Sequence, residues 1–301
     1  MDRKEFLEQK YLEARQKWLP KKADYYANPA ISYVEPFQIA DNLYYVGDKQ
    51  VCIHLIDTGD GLILLDSGFP CATYLLIESI WRAGFDPKNV KWILHTHGHF
   101  DHFGAAEAFR TLYGTKSAIS RVDARALKEL PHRAHLDLSA LPYARIPTFD
   151  RELEDGEIFE LGNTKIRCVL TPGHTPGVLS FFFNVTWEGK TYLAGLFGGA
   201  GRNAMSRPYT SHNMEPEHAA DMMLDSIAHI WNEPVMVHLG NHPGNNKTMQ
   251  KRAKQLEEGG NPFIAPNSWH TFLTELKEDT LAVMEKNKAM DAEMTALFGE
   301  E

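Results

Sequence analysis

The stretch Leu94-His-Thr-His-Gly-His-Phe-Asp-His-Phe103 decides the reading of this chain, because it places His97, His99, Asp101 and His102 in the spacing H-x-H-x-D-H. The apolar run before it, Val90–Leu94, reads as a short buried strand. The run after it, Phe103–Tyr113, reads as a helix stopped by Gly114. The four polar side chains therefore fall on a loop between a strand and a helix. A loop of this kind can turn His97 and His99 toward one cation while Asp101 and His102 face another. Imidazole and carboxylate together favour Zn²⁺, ahead of Fe or Mn. His95 lies outside the spacing, at the strand end, and reads as a packed or hydrogen-bonded residue rather than a ligand.

Two distant segments supply further candidates. Thr171-Pro-Gly-His-Thr-Pro-Gly177 follows the apolar run Ile166–Leu170 and sets His174 in a turn whose prolines and glycines fix the backbone. Val237-His-Leu-Gly-Asn-His-Pro-Gly244 sets His242 in a loop after a strand-like run. Alone, a histidine in such a turn is ordinary. With the first motif, three loops supply six candidate ligands.

The order H-x-H-x-D-H, T-P-G-H-T-P-G and a late N-H-P resembles the metallo-β-lactamase superfamily over roughly residues 37 to 276. Gly61-Leu-Ile-Leu-Leu-Asp-Ser-Gly68 is similar to the family's strand ending in an aspartate-small-glycine turn, and Asn261–Pro266 with Trp269, Phe272 and Leu273 resembles the end of one branch. That branch is the third subclass of metallo-β-lactamases and its unassigned relatives. The resemblance implies an α/β fold of the αββα sandwich type. It also implies one metal on His97, His99 and His174, a second on Asp101, His102 and His242, and so two Zn²⁺ per chain. Most other branches carry a bridging aspartate where this chain has Ala194-Gly-Leu196. That alignment puts Leu196 beside the ions, so that Leu196→Asp would tighten the second metal.

The implied activity is that of a zinc-dependent hydrolase. Paired Zn²⁺ lowers the pKa of a shared water toward about 7, and the resulting hydroxide opens a cyclic amide such as a β-lactam. A lactone, ester or thioester hydrolase is the alternative, and a metal-binding protein without turnover is the reading from another class. Asp101 is the candidate catalytic carboxylate, orienting the nucleophile. Ser67 and Ser206 lie in no nucleophile motif. Asp66 is a candidate acceptor for a ligand imidazole N–H, although capping the Ser67-Gly68 turn would suit it equally. The glycine-rich segment after Leu196 should border the metals, which makes Arg202, Arg207, Tyr209 and His212 candidate substrate contacts.

Composition agrees with one soluble enzyme domain over residues 1–301, 43% hydrophobic, which is enough for a full core. A net charge of −9 and no basic run argue against a nucleic-acid partner, leaving a small-molecule substrate and, at most, self-association. Cys52, Cys71 and Cys168 are scattered and odd in number, the pattern of reduced thiols. The first residues lack the apolar core of a signal peptide and no run is long enough to span a bilayer, so the expected location is cytoplasmic, away from membranes. Residues 1–29 read as a helical arm, with Phe6, Leu7, Tyr11, Ala14 and Trp18 at near-helical spacing, and about 268–297 as a long helix.

Overall fold

Runs of unbroken apolar residues, rather than alternating ones, mark strands buried on both faces. In the computed structural model, which describes residues 1–139 and 141–299, strands of this kind and alternating ones together build two sheets. The first has seven strands in chain order: β1 (Phe37–Ala40), β2 (Leu43–Tyr45), β3 (His54–Asp57), β4 (Leu62–Leu65), β5 (Val90–Leu94), β6 (Lys116–Ser120) and β7 (Arg151–Leu153). The second is ordered β12-β11-β10-β9-β8, from β8 (Ile158–Leu161), β9 (Thr164–Leu170), β10 (Leu179–Trp187), β11 (Lys190–Leu196) and β12 (Val237–Leu239). The helices are α1 (Arg3–Ala27), α2 (Thr73–Arg82), α3 (Phe100–Phe103), α4 (Ala106–Tyr113), α5 (Arg121–Glu129), α6 (Arg207–Asn213), α7 (Ala219–Ile230), α8 (Thr248–Glu258) and α9 (Ser268–Phe298).

The two-residue period of a strand sorts side chains between layers. On β4, Ile63 and Leu65 point into the core between the sheets, while Leu62 and Leu64 pack beneath α2 and α4 with Leu76, Ile80 and Phe109. On β10, Phe181, Phe183 and Val185 face the inter-sheet core. Phe182 joins α7 and α9 on the far side through Met223, Ile227, Trp269 and Leu273. The layers are therefore helix, sheet, sheet, helix, the αββα arrangement expected. Burying each such side chain is worth about 1.5–3 kcal/mol.

Strand direction places the functional edge. β4, β5, β6 and β7 run parallel. In the second sheet β11 and β12 are parallel, and β9 shares their direction because both β9 and β11 are antiparallel to β10. The segments that leave the C-terminal ends of β4, β5, β6, β9, β11 and β12 carry Asp66, His97, Asp123, His174, Gly198 and His242, Asp123 in the first turn of α5 and the others in loops.

Local chemistry matches the chain's punctuation. Asp2 and Glu5 form a capping box at the start of α1. Gly114 ends α4 in the left-handed conformation at φ 72°. Glu188 and Gly189 turn the β10–β11 hairpin at positive φ. The helix after β5 differs from expectation. It is broken into α3 and α4, and Asp101 and His102 sit in the single turn of α3 rather than on the loop.

Leu196 requires a correction. It is 1% exposed and packs in the inter-sheet core, with Phe181 and Leu239 as its register partners. The phase of β11 turns its side chain inward, and a side chain on the neighbouring Gly195 would meet Val235 and Phe182 on the opposite face. Neither position belongs to the side-chain groups that could hold a metal. Leu196→Asp should therefore leave metal affinity alone and cost about 4 kcal/mol or more by burying an unpaired charge, read as a lowered denaturant midpoint.

His54 on β3 is fully buried, with no hydrogen-bond partner for either ring nitrogen. Burial pushes its pKa down to about 4, against a smaller upward pull from Asp66. An unfolded chain protonates the same ring near 6.5. Between these values the unfolded state takes up a proton that the folded state refuses, so stability falls as pH drops from about 6.5 toward about 4. His54→Leu should make this acid limb shallower in urea titrations at a series of pH values.

Candidate metal centre

The loop after β5 is fixed before any ligand is considered. Asp66, at the end of β4, holds φ 61°, a left-handed conformation that aspartate tolerates better than most residues. Its carboxylate accepts from the Thr96 N–H at 2.8 Å and the Thr96 hydroxyl at 2.9 Å. Asp123, near the start of α5, does the same for two loops at once. Its Oδ2 accepts from the Gly98 N–H and the Thr175 hydroxyl, and its Oδ1 from the Gly177 N–H, each at 2.8 Å. This buried carboxylate fastens the His97–His99 loop to the His174 turn. Gly177 is required, because a Cβ there would lie 2.4 Å from Asp123 Oδ1.

Six side chains then converge as two groups, His97, His99 and His174, and Asp101, His102 and His242, with the ligand atoms of each within 4.8 Å of one another. His97 Nε2 and His99 Nδ1 are 3.1 Å apart. Asp101 Oδ2 is 3.6 Å from both His102 Nε2 and His242 Nε2. The outer ring nitrogens settle which face carries the lone pairs. Nδ1 of His97 donates to the Gly198 carbonyl at 2.9 Å, that of His174 to the Gly201 carbonyl at 2.9 Å, and that of His242 to the Gln50 carbonyl at 2.8 Å. His102 Nδ1 donates to Asp66 Oδ2 at 2.8 Å. A carbonyl or carboxylate can only accept, so each inner Nε2 is left bare. For His99 the inner atom is Nδ1. Its Nε2 meets the Tyr209 hydroxyl at 3.3 Å, which in turn contacts His135 Nε2. Asp66 thus stands behind the His102 imidazole as its acceptor.

Burial opposes charge on all five rings, and in four of them it prevails. It holds His97 and His99 well below the usual histidine range and brings His174 down to about 4. His242 is lowered chiefly by burial as well. At His102 burial also opposes charge, but the Asp101 and Asp66 carboxylates outweigh it and raise the pKa. At Asp101 burial opposes the charged form, but the neighbouring His102 and His242 together outweigh it and lower the pKa.

The ligands open into a pocket of about 200 Å³. His99, Asp101, His174 and His242 form its floor, and Tyr11 and Trp18 of α1, with Phe69, Leu138 and Tyr209, form apolar walls. Of the four proposed substrate contacts, only Tyr209 reaches it. Arg202 pairs with Asp279 and Arg207 with Asp291, both on α9. His212 donates to Glu8 and stacks on Tyr11 at 3.8 Å. These three are held by ion pairs or ring contacts with distant helices and do not line the pocket. His95 is no ligand: its ring meets the His102 carbonyl and the Ser117 hydroxyl. Asp123, Gln50 and His135 were not among the residues expected from the sequence. Ser120-x-x-Asp123 is a helix-capping spacing and was the one available signal. His135, at φ 56° and 4.8 Å from the His99 ring, has none.

Residues 46–186 match the family described as the metallo-beta-lactamase superfamily. Over this segment the chain is similar to members of that superfamily. Its fold is similar to that of BJP-1, a subclass B3 metallo-β-lactamase of Bradyrhizobium japonicum. The TM-score is 0.75 and the identity 28%, over 87% of this chain and 98% of that one. Among curated proteins, a probable metallo-hydrolase of Burkholderia pseudomallei is 37% identical over 40% of this chain and 46% of its own length. A hydroxyacylglutathione hydrolase of Maricaulis maris is 34% identical over 47% and 46% respectively. The chain thus spans less than half the length of these curated relatives. Among the described residues, no helix is long and apolar enough to cross a membrane.

Asp66→Ala should remove the acceptor that orients His102 and weaken the metal held by the Asp101 group by roughly 10- to 100-fold. The group containing His97 should be much less affected. A competitive chelator titration followed by elemental analysis reads both.

Proposed function

We propose that this chain is a metallo-β-lactamase superfamily hydrolase that holds two Zn²⁺ ions and opens a cyclic amide, with β-lactams as the substrates to test first. The observation that carries the reading is the inward aim of the donors: five imidazoles and one carboxylate present bare acceptor atoms to one another. Such an arrangement repels itself without cations. Three donors per group, nitrogen-rich with one carboxylate, suit Zn²⁺ and leave positions for water and substrate. Bound there, the metals would supply hydroxide near neutral pH and polarise the scissile carbonyl.

The chain's own residues do the rest. Asp101 offers Oδ2 to the second group and keeps its other oxygen to accept a hydrogen bond from the attacking water. Tyr209 fixes the His99 ring through its hydroxyl, with His135 behind it. Tyr11, Trp18, Phe69 and Leu138 exclude bulk water from the pocket and offer an apolar surface to the substrate. No side-chain nucleophile is required. Ser67 and Ser206 bond backbone carbonyls, and burial pushes the Cys71 thiol up to about 11.

A lactone or thioester substrate is the second reading, supported by the likeness to the hydroxyacylglutathione hydrolase. Zinc-loaded and chelator-stripped protein should be assayed on β-lactams, lactones and thioesters, with metal content measured in parallel. We expect about two Zn²⁺ per chain and metal-dependent opening of a β-lactam. Turnover confined to lactones or thioesters would select the second reading, and a zinc-loaded protein inert toward all three would leave a metal-binding protein without turnover. His97→Ala and His242→Ala should each remove a different ion and lower kcat by at least about 100-fold.

A further inference from the structure

The N-terminal helix does more than cover the core. Tyr11, Trp18, Lys22 and Tyr26 recur at intervals of seven and four residues, which places them along one face of α1. Tyr11 and Trp18 are walls of the pocket. One turn beyond Trp18, the Lys22 ammonium lies 5.5 Å over the ring of Phe69, another wall. It donates to Gln50 Oε1 at 2.5 Å, and the backbone carbonyl of the same Gln50 receives the His242 Nδ1–H at 2.8 Å. The ammonium is therefore tied to the side of the pocket that carries Asp101 and His242.

We propose that Lys22, with Tyr26 one turn further along the same face of α1, forms an anion subsite that selects substrates bearing a carboxylate next to the leaving group. This rests on the hydrolase reading above. Lys22 is half-buried and makes no ion pair among the described residues. The two carboxylates whose charge reaches it are Asp101 and Asp48, and both are committed elsewhere. Asp101 belongs to the metal-binding group. Asp48 accepts from the Gln50 and Val51 N–H groups and from the Tyr25 hydroxyl. The Tyr26 hydroxyl is buried without any hydrogen-bond partner, although the Asp101 charge reaches it too. A cation without a counter-charge and a buried hydroxyl without an acceptor, one helical turn apart, are what an incoming carboxylate would satisfy. The aromatic and aliphatic walls then take the apolar acyl portion. The substrate class is an N-acyl or lactam compound with an apolar acyl group and a carboxylate on the amine side.

Binding can be read without turnover. The probes are N-benzoylglycine and its methyl ester, titrated calorimetrically into zinc-loaded protein with metal content checked in each variant. Wild type should bind the acid about tenfold or more tightly than the ester, the effect of one charge-assisted contact. Lys22→Met should abolish the preference at unchanged metal content, Lys22→Arg should retain most of it, and Tyr26→Phe should reduce it. An undiminished preference in Lys22→Met would place the carboxylate on the ions and overturn the subsite, as would no preference, or no binding of either probe, in wild type. The preference with no hydrolysis in the substrate panel would overturn the proposed activity and leave the subsite. Hydrolysis with no Lys22-dependent preference would do the reverse.

Discussion

Five imidazole nitrogens and a carboxylate oxygen, all acceptors, crowd one pocket floor, and the surrounding structure is organised to keep them there. Mutual repulsion would spread them if the rings could turn. They cannot, because each outer nitrogen is engaged: three by backbone carbonyls, one by Asp66 and one by Tyr209. The carbonyls of Gly198 and Gly201 come from the segment after β11, where a side chain on Gly201 would collide with the His174 ring at 2.5 Å. The glycine-rich segment serves ligand orientation, by letting backbone approach imidazole closely.

The parallel strand sets explain why such a convergence is available at all. Both sheets send several strand ends to the same edge, so residues far apart in the chain meet without long excursions. Each ligand group draws on both halves, with His174 and His242 following strands of the second sheet and the others following β5. Cations seated there would tie the two sheets together in addition to the apolar core between them. Metal occupancy would then count toward the stability of the whole fold.

What the chain revealed beforehand was the chemistry that is local or strongly patterned. Four ligands within six residues are visible because a single loop presents them, and the Pro-Gly turn around His174 announces a rigid backbone. The buried strands are visible as apolar runs. Other features depend on contacts set only by tertiary packing. Arg202 and Arg207 look like free loop cations until α9 brings Asp279 and Asp291 to them. Leu196 sits at the right place in the chain, but the phase of β11 turns it into the core, and a one-residue change of phase reverses a side chain's face. Gln50 acts through its carbonyl, which no residue type encodes. His135 arrives from an irregular segment beside Tyr209, with no periodicity to announce it.

Asp123 carries one more consequence. The Gly98 and Gly177 amides lie in loops, where backbone N–H groups ordinarily exchange with solvent quickly. Here both point at the same buried carboxylate. Their hydrogen exchange therefore has to wait for α5 to lift away from the loops rather than for each loop to fluctuate alone. Two stretches separated by almost eighty residues form, on the timescale of local opening, a single cooperative unit whose latch is a side chain outside both candidate ligand groups.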